Sequence, residues 1–416
     1  MRTTERDKNQ SMTRRLRASI FDTGLRTIVR RSCMAIFAVA IVAQAQTYTI
    51  LHNFTGFGDG SVPEAGVTLD RAGNLYGTTF QGTVFKLSHA GSGWVLATLY
   101  TFQGGSDGAR PASRVIFGPD GTLYGTTSEG GSNGLGTVYN LRPPASVCRS
   151  TACPWSETIL HNFTGGDGAA PQLGDLVFDG AGNIYGTTSS GGASGQGVVF
   201  ELSPSGAGWT ESVLYNFAGG RDGAVPYSGV TFDAAGNLYG TTTLGGAHSV
   251  GTVYELTASQ SGWSETTLFA FDGSDHSFTP YGGVIFDRQG NLYGTACGGP
   301  NDGGTVYELA AGDGGWAYNL AYGFSGYAGP RDAPTMDASG NIFLTNLNSG
   351  FYQAGSVYQL TPGAGGWTAT DLYDFNGAST GAAPFGNVTL DAAGYLYGTT
   401  TLGGTHNLGV VFEITP

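Results

Sequence analysis

Charged side chains are scarce in this sequence of 416 residues. Asp, Glu, Lys and Arg together make up 12% of the chain, about half the share found in an average globular protein. This shortage disfavours long helices and coiled coils, whose surfaces are rich in these residues. The chain also lacks a Ser-His-Asp order, a zinc motif and a phosphate-binding glycine loop, so no established catalytic motif indicates an enzyme.

Glycine, by contrast, is abundant. The chain has 72 glycines, together with 40% hydrophobic and 12% aromatic residues. This hydrophobic and aromatic content excludes a disordered chain, and glycines without a triplet period exclude collagen. The composition therefore indicates a folded, turn-rich, all-β protein.

The first 45 residues have the order of a secretory signal peptide. Nine Lys or Arg residues precede an apolar run at 34–42, and Ala43-Gln44-Ala45 offers the small-x-small pattern of a cleavage site. The apolar run is too short to span a bilayer. We therefore predict a signal peptide over residues 1–45, a mature domain over residues 46–416, and a secreted or periplasmic location. An uncleaved membrane anchor is the alternative.

The predicted mature chain is strongly acidic. Residues 46–416 contain nine basic and 28 acidic residues, a formal net charge of −19, and Lys86 is their only lysine. Phosphate backbones and anionic lipids would repel such a chain. We therefore expect a monomer that binds no nucleic acid and does not insert into membranes, with a glycan or a protein as its ligand.

One heptapeptide recurs seven times, as in Gly73-Asn-Leu-Tyr-Gly-Thr-Thr79. The copies begin at Gly73, Gly121, Gly182, Gly236, Gly290, Gly340 and Gly394, at spacings of 48 to 61 residues. Three other segments accompany it, which in the fourth unit are Gly229–Asp233, Gly251–Leu256 and Trp263–Phe271. All four are five to nine residues long, rich in Val, Ile, Tyr, Phe and Thr, and bounded by turn residues, which is typical of strands.

Four strands in each of seven units predict an all-β, seven-bladed β-propeller with four antiparallel strands per blade. We label the strands A to D from the axis outward. Residues 48–54 resemble a D strand without its Trp, and residues 409–414 resemble a C strand. The N-terminal strand is therefore predicted to join the last blade and close the ring, which removes an open sheet edge. A β-solenoid or an open array is the alternative.

Several recurrent residues have a structural interpretation. The pattern Asp-x-x-Gly-Asn between strands A and B is typical of a tight hairpin, in which Asp accepts backbone hydrogen bonds and Gly takes positive φ. The mid-strand Gly of Tyr-Gly-Thr-Thr makes room for an aromatic ring. The Trp that opens strand D is expected to cover the outer edge of a blade, and His52 and His161 within D strands are expected to be packing residues.

These motifs together resemble a known family. Gly-Asn-Leu-Tyr-Gly-Thr-Thr, then Gly-Thr-Val-Tyr-Glu-Leu, then Trp-x-Glu-x-x-Leu-Tyr-x-Phe, is similar to the GloVer tandem repeat of exported bacterial proteins, over residues 48–416. The resemblance implies a secreted or surface-held repeat protein and no particular activity. Because no apolar tail or sorting motif follows the last C strand, free secretion or periplasmic residence is expected rather than surface anchoring. A kelch propeller is a looser resemblance.

The loops from D to A and from B to C should emerge together around the mouth of the central channel, where propellers usually bind ligands. Six D-to-A loops carry an Asp near one position: Asp59, Asp107, Asp167, Asp222, Asp275 and Asp332. A ring of carboxylates could hold a divalent cation or a hydroxyl-rich ligand. The alternative is that these residues are turn residues.

Three of the six histidines share that face. His248 and His406 occupy matching B-to-C loops, and His276 lies in the loop that enters the blade beside His248. The ligand-binding candidates are therefore Asp222, His248, Asp275, His276, Asp302 and His406. No catalytic residue is assigned, and no cofactor is expected apart from a divalent cation.

The cysteines suggest one local disulfide. Cys148 and Cys153 lie in an insertion found in one repeat only, and an oxidising compartment favours their pairing. A pair of free thiols is the alternative. Cys297 is expected to be a small packing residue.

The sequence therefore favours an exported, non-catalytic propeller that acts as a binding or interaction scaffold. The alternative is a secreted lyase or hydrolase with a metal ion or a His/Asp pair at the channel mouth.

Overall fold

The structure is a computed structural model that describes residues 46–144, 155–206, 208–273, 277–299, 301–312, 314–326 and 329–415. All of them belong to one compact unit, Gln46–Pro416. The predicted signal peptide, residues 1–45, lies outside the described residues, as does the pair Cys148 and Cys153. Within the described ranges every regular element is a β-strand.

The strands form seven antiparallel sheets in a ring, which confirms the all-β, seven-bladed propeller. The A strands are β2 (Thr68–Leu69), β6 (Ile116–Phe117), β10 (Val177–Phe178), β14 (Thr231–Phe232), β19 (Ile285–Phe286), β23 (Thr335–Met336) and β27 (Thr389–Leu390). The B strands are β3 (Leu75–Thr79), β7 (Leu123–Thr127), β11 (Ile184–Thr188), β15 (Leu238–Thr242), β20 (Leu292–Gly298), β24 (Ile342–Asn346) and β28 (Leu396–Thr400).

The outer two strands of each blade are longer. The C strands are β4 (Thr83–Ala90), β8 (Thr137–Arg142), β12 (Val198–Ser205), β16 (Thr252–Ser259), β21 (Asp302–Gly312), β25 (Ser356–Gly363) and β29 (Val410–Thr415). The D strands are β5 (Gly93–Thr101), β9 (Ser156–Asn162), β13 (Gly208–Asn216), β17 (Gly262–Ala270), β22 (Gly315–Ser325), β26 (Gly366–Asp374) and β1 (Thr47–Asn53). Blade 5 has one additional short strand, β18 (Ser277–Phe278), paired with β20.

The N-terminal strand closes the ring, as predicted. β1 pairs antiparallel with β29, placing Tyr48 opposite Ile414 and His52 opposite Val411. The last blade is therefore β27, β28, β29 and β1, which joins the two ends of the described chain in one sheet.

Each hydrophobic core lies between two neighbouring blades. One cluster combines Tyr124 and Val138 of blade 2 with Leu176, Ile184 and Phe200 of blade 3, all of them buried. The Trp that opens strand D belongs to the same interfaces. Ring centroids lie 6.4 Å apart for Trp209 and Tyr124, so this Trp packs on the preceding blade rather than only covering an edge.

Two recurrent motifs have the structural roles predicted for them. A Cβ on Gly398 of β28 would lie 2.5 Å from Cζ of Phe412, so the missing side chain admits that ring. In the first A-to-B hairpin, Asp70 Oδ1 accepts hydrogen bonds from the backbone N–H groups of Ala72 and Asn74, at 2.8 and 2.9 Å. These hydrogen bonds lower the pKa of Asp70 against the opposing effect of burial.

A repeated seam joins five of the seven D-to-A loops to the preceding blade. In the loop that enters blade 1, Val62 donates its N–H to the carbonyl of Leu408, at 3.0 Å. Val62 has φ of +58° and precedes Pro63, whose ring packs against Gly409. Ala170, Val225, Thr279 and Ala383 make the same bond before the prolines of blades 3, 4, 5 and 7. The seam fixes where each of these chain segments enters strand A at the channel.

Gly409 allows this seam to close between the last and the first blade, so Gly409→Ala is expected to destabilise the protein. Its φ is +95°, and a Cβ would lie 2.2 Å from the carbonyl oxygen of Thr400 and 2.7 Å from Cδ of Pro63. We expect a loss of about 2 kcal/mol or more in the free energy of unfolding, measured by urea denaturation.

Gly166→Ala is the matched control, because no atom lies within 4 Å of its Cβ and its φ is not positive. Equal stability of both variants and the wild type would contradict the role assigned to the seam.

Candidate functional site

The residue that follows the seam proline differs from blade to blade, although the seam itself is repeated. In blades 1 to 7 this residue is Glu64, Ala112, Gln172, Tyr227, Tyr281, Arg331 and Phe385. Each one lies just before an A strand, the innermost strand of its blade. The charge of Glu64 in blade 1 raises the pKa of Tyr227 in blade 4, although burial and Tyr281 raise it more. Around the channel itself, residues of blades 2 to 7 line one cavity.

An aromatic and arginine stack occupies one side of this mouth. The rings of Tyr227 and Tyr281 lie edge to face, with centroids 5.5 Å apart, and Cζ of Arg331 lies 4.3 Å from the Tyr281 centroid. Nε of Arg331 is buried and has no hydrogen-bond partner within the described part of the chain. The guanidinium therefore lies on an aromatic face, with one of its buried N–H groups unpaired in the described residues.

A second polar group lies deeper, where the A strands begin. Arg114 of blade 2 donates hydrogen bonds from Nη2 and Nε to Oδ2 of Asp175 in blade 3, at 2.6 and 2.9 Å. Its Nη1 reaches Oγ1 of Thr389 in blade 7 at 3.4 Å. The Arg114 and Asp175 side chains are 25% and 28% exposed, and they line a cavity of about 520 Å³ with Asp332 and Asn387.

The charges of this group act on the pKa values of Arg114 and of Asp332. Burial alone would lower the pKa of Arg114, but the charges of Asp175 and Asp332 raise it. Burial and the charge of Asp175 raise the pKa of Asp332 to about 6, although backbone hydrogen bonds from Asn387 and Ala333 and the charge of Arg114 favour ionisation. The channel therefore holds a guanidinium, an ion-paired carboxylate and a carboxyl group that titrates close to neutrality.

The D-to-A loop aspartates that were predicted to form a ring of carboxylates include four that accept hydrogen bonds from the backbone of their own loops. Asp222 accepts hydrogen bonds from the backbone N–H groups of Ala218 and Gly220, at 2.7 and 3.2 Å, and from the hydroxyl of Tyr215 at 3.1 Å. Asp59, Asp107 and Asp167 bind their own loops in the same way. These are turn contacts at the D strands, and among the members of this series that the structure describes, only Asp332 lines the channel cavity.

The other sequence candidates are dispersed or lie outside the described residues. His248, Asp302 and His406 are exposed, and Nδ1 of His406 bonds to Oγ1 of Thr405 at 2.9 Å. Asp275 and His276 lie outside the described residues. None of the six candidates belongs to the group of metal-ligating side chains found in the described ranges.

Cys297 is a buried residue of β20, as expected from the sequence. Its side chain is 7% exposed, and burial raises the pKa of its thiol, although Arg331 opposes this shift. A raised thiol pKa disfavours the reactive thiolate form, which agrees with a packing role.

The channel residues stand at positions where the sequence of the repeat varies from blade to blade, whereas the motifs are defined by residues that recur. The position after each seam proline departs from the repeat in a different way in each blade, and Arg114, Asp175 and Asn387 share one position just before strand A. Gly66, Gly229 and Gly283 occupy that position in three other blades, and a Cβ on Gly66 or Gly229 would lie 2.5 Å from Oδ1 of Asn387 or 2.3 Å from the carbonyl oxygen of Asp175, respectively. The channel residues therefore vary at a fixed position of the repeat, whereas the repeated loop Asp makes a turn contact in blades 1 to 4.

Carboxyl groups also meet at the outer edge, where D strands of neighbouring blades pack together. Burial and the charge of Asp107 raise the pKa of Glu157 to about 7, and Glu211 is raised to about 7 by burial and the charge of Asp167. Oε1 of each glutamate is buried without a hydrogen-bond partner in the described chain.

The fold defines the class of the protein: a seven-bladed β-propeller built from sequence repeats. The chain belongs to the Gloeobacter/Verrucomicrobia repeat family, whose model matches residues 33–152, 150–331 and 264–416. This confirms the resemblance found in the sequence. No curated protein sequence matches the chain significantly. Within the described residues, no helix is long and apolar enough to cross a membrane.

Solved structures share the architecture at low sequence identity. The extracellular domain of a one-component system protein from B. thetaiotaomicron is 11% identical with a TM-score of 0.52, covering 88% of this chain and 40% of that one. A gluconolactonase from Xanthomonas campestris is 13% identical with a TM-score of 0.42, covering 91% and 92%. A calcium structure of carbohydrate-active enzyme family AA12 from Trichoderma reesei is 13% identical with a TM-score of 0.43, covering 90% and 96%. At these identities the likeness concerns the fold alone.

The raised carboxyl pKa values predict that the protein becomes more stable as the pH falls from about 8 to about 6. Glu157, Glu211 and Asp371 have folded pKa values of about 7, above their ordinary values of 4.5, 4.5 and 3.8. Between those values the folded state binds more protons than the unfolded chain, so stability is lost as the pH rises. Burial lowers the pKa of His161, which has the opposite effect but is a single group.

Glu157→Gln tests this directly. We expect the variant to be more stable than the wild type at pH 8, with the difference shrinking towards pH 6, in urea denaturation at both pH values. Glu129→Gln is the control, since Glu129 is half exposed and paired with Arg110, and no gain at pH 8 is expected there. A wild type that loses stability between pH 8 and pH 6 would contradict the prediction.

Proposed function

We propose that this protein is an exported, non-catalytic binding propeller whose central channel takes part of a glycan. The predicted signal peptide and membership of an exported repeat family support the location. The mixture of aromatic faces, one guanidinium whose Nε has no hydrogen-bond partner in the described residues, and two inner carboxylates supports the ligand class. Sugars offer hydroxyl groups that donate and accept hydrogen bonds, and C–H faces that pack on aromatic rings.

Arg331 carries the proposal. It is a half-buried arginine in a strongly acidic chain, it is stacked on Tyr281, and its Nε has no hydrogen-bond partner within the described residues. A buried donor without a partner is costly, and a ligand oxygen would supply the missing hydrogen bond. The stacking on Tyr281 already orients the guanidinium, so less side-chain freedom is lost on binding.

The inner group extends the same surface into the cavity. Arg114 is oriented by its two hydrogen bonds to Asp175, and Asp332 is held by backbone N–H groups of Ala333 and Asn387 at 2.7 and 3.0 Å. Carboxylate oxygens have further acceptor capacity after one such bond. Fixed donors and acceptors around a cavity of about 520 Å³ suit a ligand the size of one or two sugar units.

Arg331→Met is expected to weaken glycan binding at least about tenfold. A hydrogen bond to a charged group contributes about 1.5 to 3 kcal/mol, which is about tenfold or more in affinity. The full-length protein would first be screened on a glycan array, and the affinities of bound glycans would then be measured by calorimetry.

Arg221→Met is the matched control, because Arg221 is exposed on a D-to-A loop outside the channel. Its affinity should equal that of the wild type. Failure of the wild type to bind any glycan would sink this proposal, and a protein ligand would then be the next class to test.

A hydrolase or lyase is the second candidate, and Asp332 is the observation that favours it. A carboxyl group with a pKa of about 6 beside the charged Asp175 resembles the pairing of a general acid with an ionised carboxylate.

If the protein is an enzyme, Asp332→Asn should abolish turnover of a bound glycan while leaving its binding measurable, and the wild-type rate should fall as the pH rises above about 6. Product analysis by mass spectrometry after incubation checks both. A glycan that is bound and recovered unchanged by the wild type would exclude this candidate for that ligand.

A further inference from the structure

At each of the seven interfaces between blades, a D-strand side chain of one blade lies beside a D-strand side chain of the next. The residue types of this pair change from interface to interface. One partner is the D-strand residue opposite the Val that directly precedes the Phe or Tyr of strand C; in blades 1 to 7 it is Tyr100, His161, Tyr215, Phe269, Tyr322, Tyr373 and His52. The other is the D-strand residue of the next blade opposite the last Leu or Ile of strand C; in the same order it is Glu157, Glu211, Glu265, Tyr318, Ala369, Tyr48 and Leu96.

Most of these interfaces are explained by packing or by a simple hydrogen bond. Tyr48 and Tyr373 stack with ring centroids 3.8 Å apart, and Phe269 stacks on Tyr318 at 4.5 Å. Tyr100, beside Glu157, donates its hydroxyl to the loop carboxylate Asp107. An imidazole and a glutamate meet at one interface only, between blades 2 and 3.

At that interface three metal-ligating groups converge. Nε2 of His161 lies 3.0 Å from Oδ2 of Asp167, and one ligand atom from each of His161, Asp167 and Glu211 lies within 4.8 Å of the other two. Asp167 Oδ1 is held by the backbone N–H and the hydroxyl of Thr164, at 2.8 and 2.9 Å. Oδ2 therefore remains directed at His161 and free of the loop backbone.

The arrangement leaves ligand capacity unused. Oε1 of Glu211 is buried and has no hydrogen-bond partner in the described part of the chain. In the next interface the equivalent Glu265 accepts a hydrogen bond from Oγ1 of Thr267, at 2.8 Å, but Val213 stands in the matching position here and offers none.

We propose that His161, Asp167 and Glu211 form a binding site for a divalent first-row transition metal ion, with zinc as the representative ion. An imidazole nitrogen with two carboxylate oxygens suits zinc, whereas calcium and magnesium prefer oxygen ligands alone. Ligand atoms around a tetrahedral zinc ion lie roughly 3.4 Å apart, so a rotation of the Glu211 side chain completes the set. The ion would link β9 of blade 2 to β13 of blade 3.

His161→Tyr is the first test, because tyrosine is the natural residue at the equivalent position of both flanking interfaces. The full-length protein is stripped with a chelator and titrated with zinc by calorimetry. The wild type should bind one more zinc ion than the variant, or bind it at least about tenfold more tightly. Cobalt substitution gives a second readout, since its visible absorption spectrum should change in the wild type only.

Two further variants separate a metal ligand from a folding effect. Glu211→Gln keeps the size of the side chain and should lose the same zinc ion. His52→Tyr is the matched control, since His52 has the same 3.0 Å contact with Asp59 but faces Leu96 instead of a glutamate, and its zinc binding should equal that of the wild type. Thermal melts without metal check that each variant is folded.

The proposal is overturned if the wild type binds no zinc, or if His161→Tyr and Glu211→Gln both bind zinc with the stoichiometry and affinity of the wild type. A second bound zinc ion in Tyr100→His, which places an imidazole beside Asp107 and Glu157, would give further support. None of these results depends on the channel ligand.

Discussion

The fold depends on the packing of each sheet against its two neighbours, because no blade buries both of its faces alone. Every hydrophobic cluster draws residues from adjacent blades, as Tyr397 and Val411 of the last blade do with Val67 and Phe85 of the first. An open array would leave one apolar face and one strand edge uncovered at each end. The pairing of β1 with β29 removes both defects at once, and the seam between Val62 and Leu408 fixes the first blade on the last.

A closed ring gives each position of the repeat a fixed distance from the axis, and this determines where function can arise. The position before strand A always faces the channel, so Arg114 and Asp175 in neighbouring blades can form an ion pair without any change in the backbone. At the outer edge of the ring, the fixed positions of the D-strand residues likewise place His161 of blade 2 beside Glu211 of blade 3. In both places the scaffold is constant and the chemistry is set by one or two side chains per blade, which is how loops and strand ends on rigid folds usually acquire sites.

The periodic features of the protein could be predicted from the sequence, and the features that break the period could not. Strands, hairpins and ring closure follow from motifs that recur seven times, and the turn role of Asp70 follows from its place before Gly and Asn. The channel group joins residues far apart in sequence: Arg114 and Thr389 are 275 positions apart, and their contact depends on the number of blades and the register of the ring. The repeated loop aspartates were more conspicuous in the sequence, yet Asp222 is occupied by its own loop.

The channel and the interface between blades 2 and 3 differ in the charge of the side chains that they present. The channel holds Arg114 and Arg331, two of only nine basic residues in 46–416, so a cation entering it would meet positive charge beside the carboxylates. The interface between blades 2 and 3 instead offers an imidazole and two carboxylates, and Oε1 of one of them, Glu211, is buried without a hydrogen-bond partner in the described residues. A metal ion would favour ionised Glu211 by supplying the missing positive charge. The ligand proposed for the channel and the metal ion proposed for the interface of blades 2 and 3 would therefore not compete for the same groups.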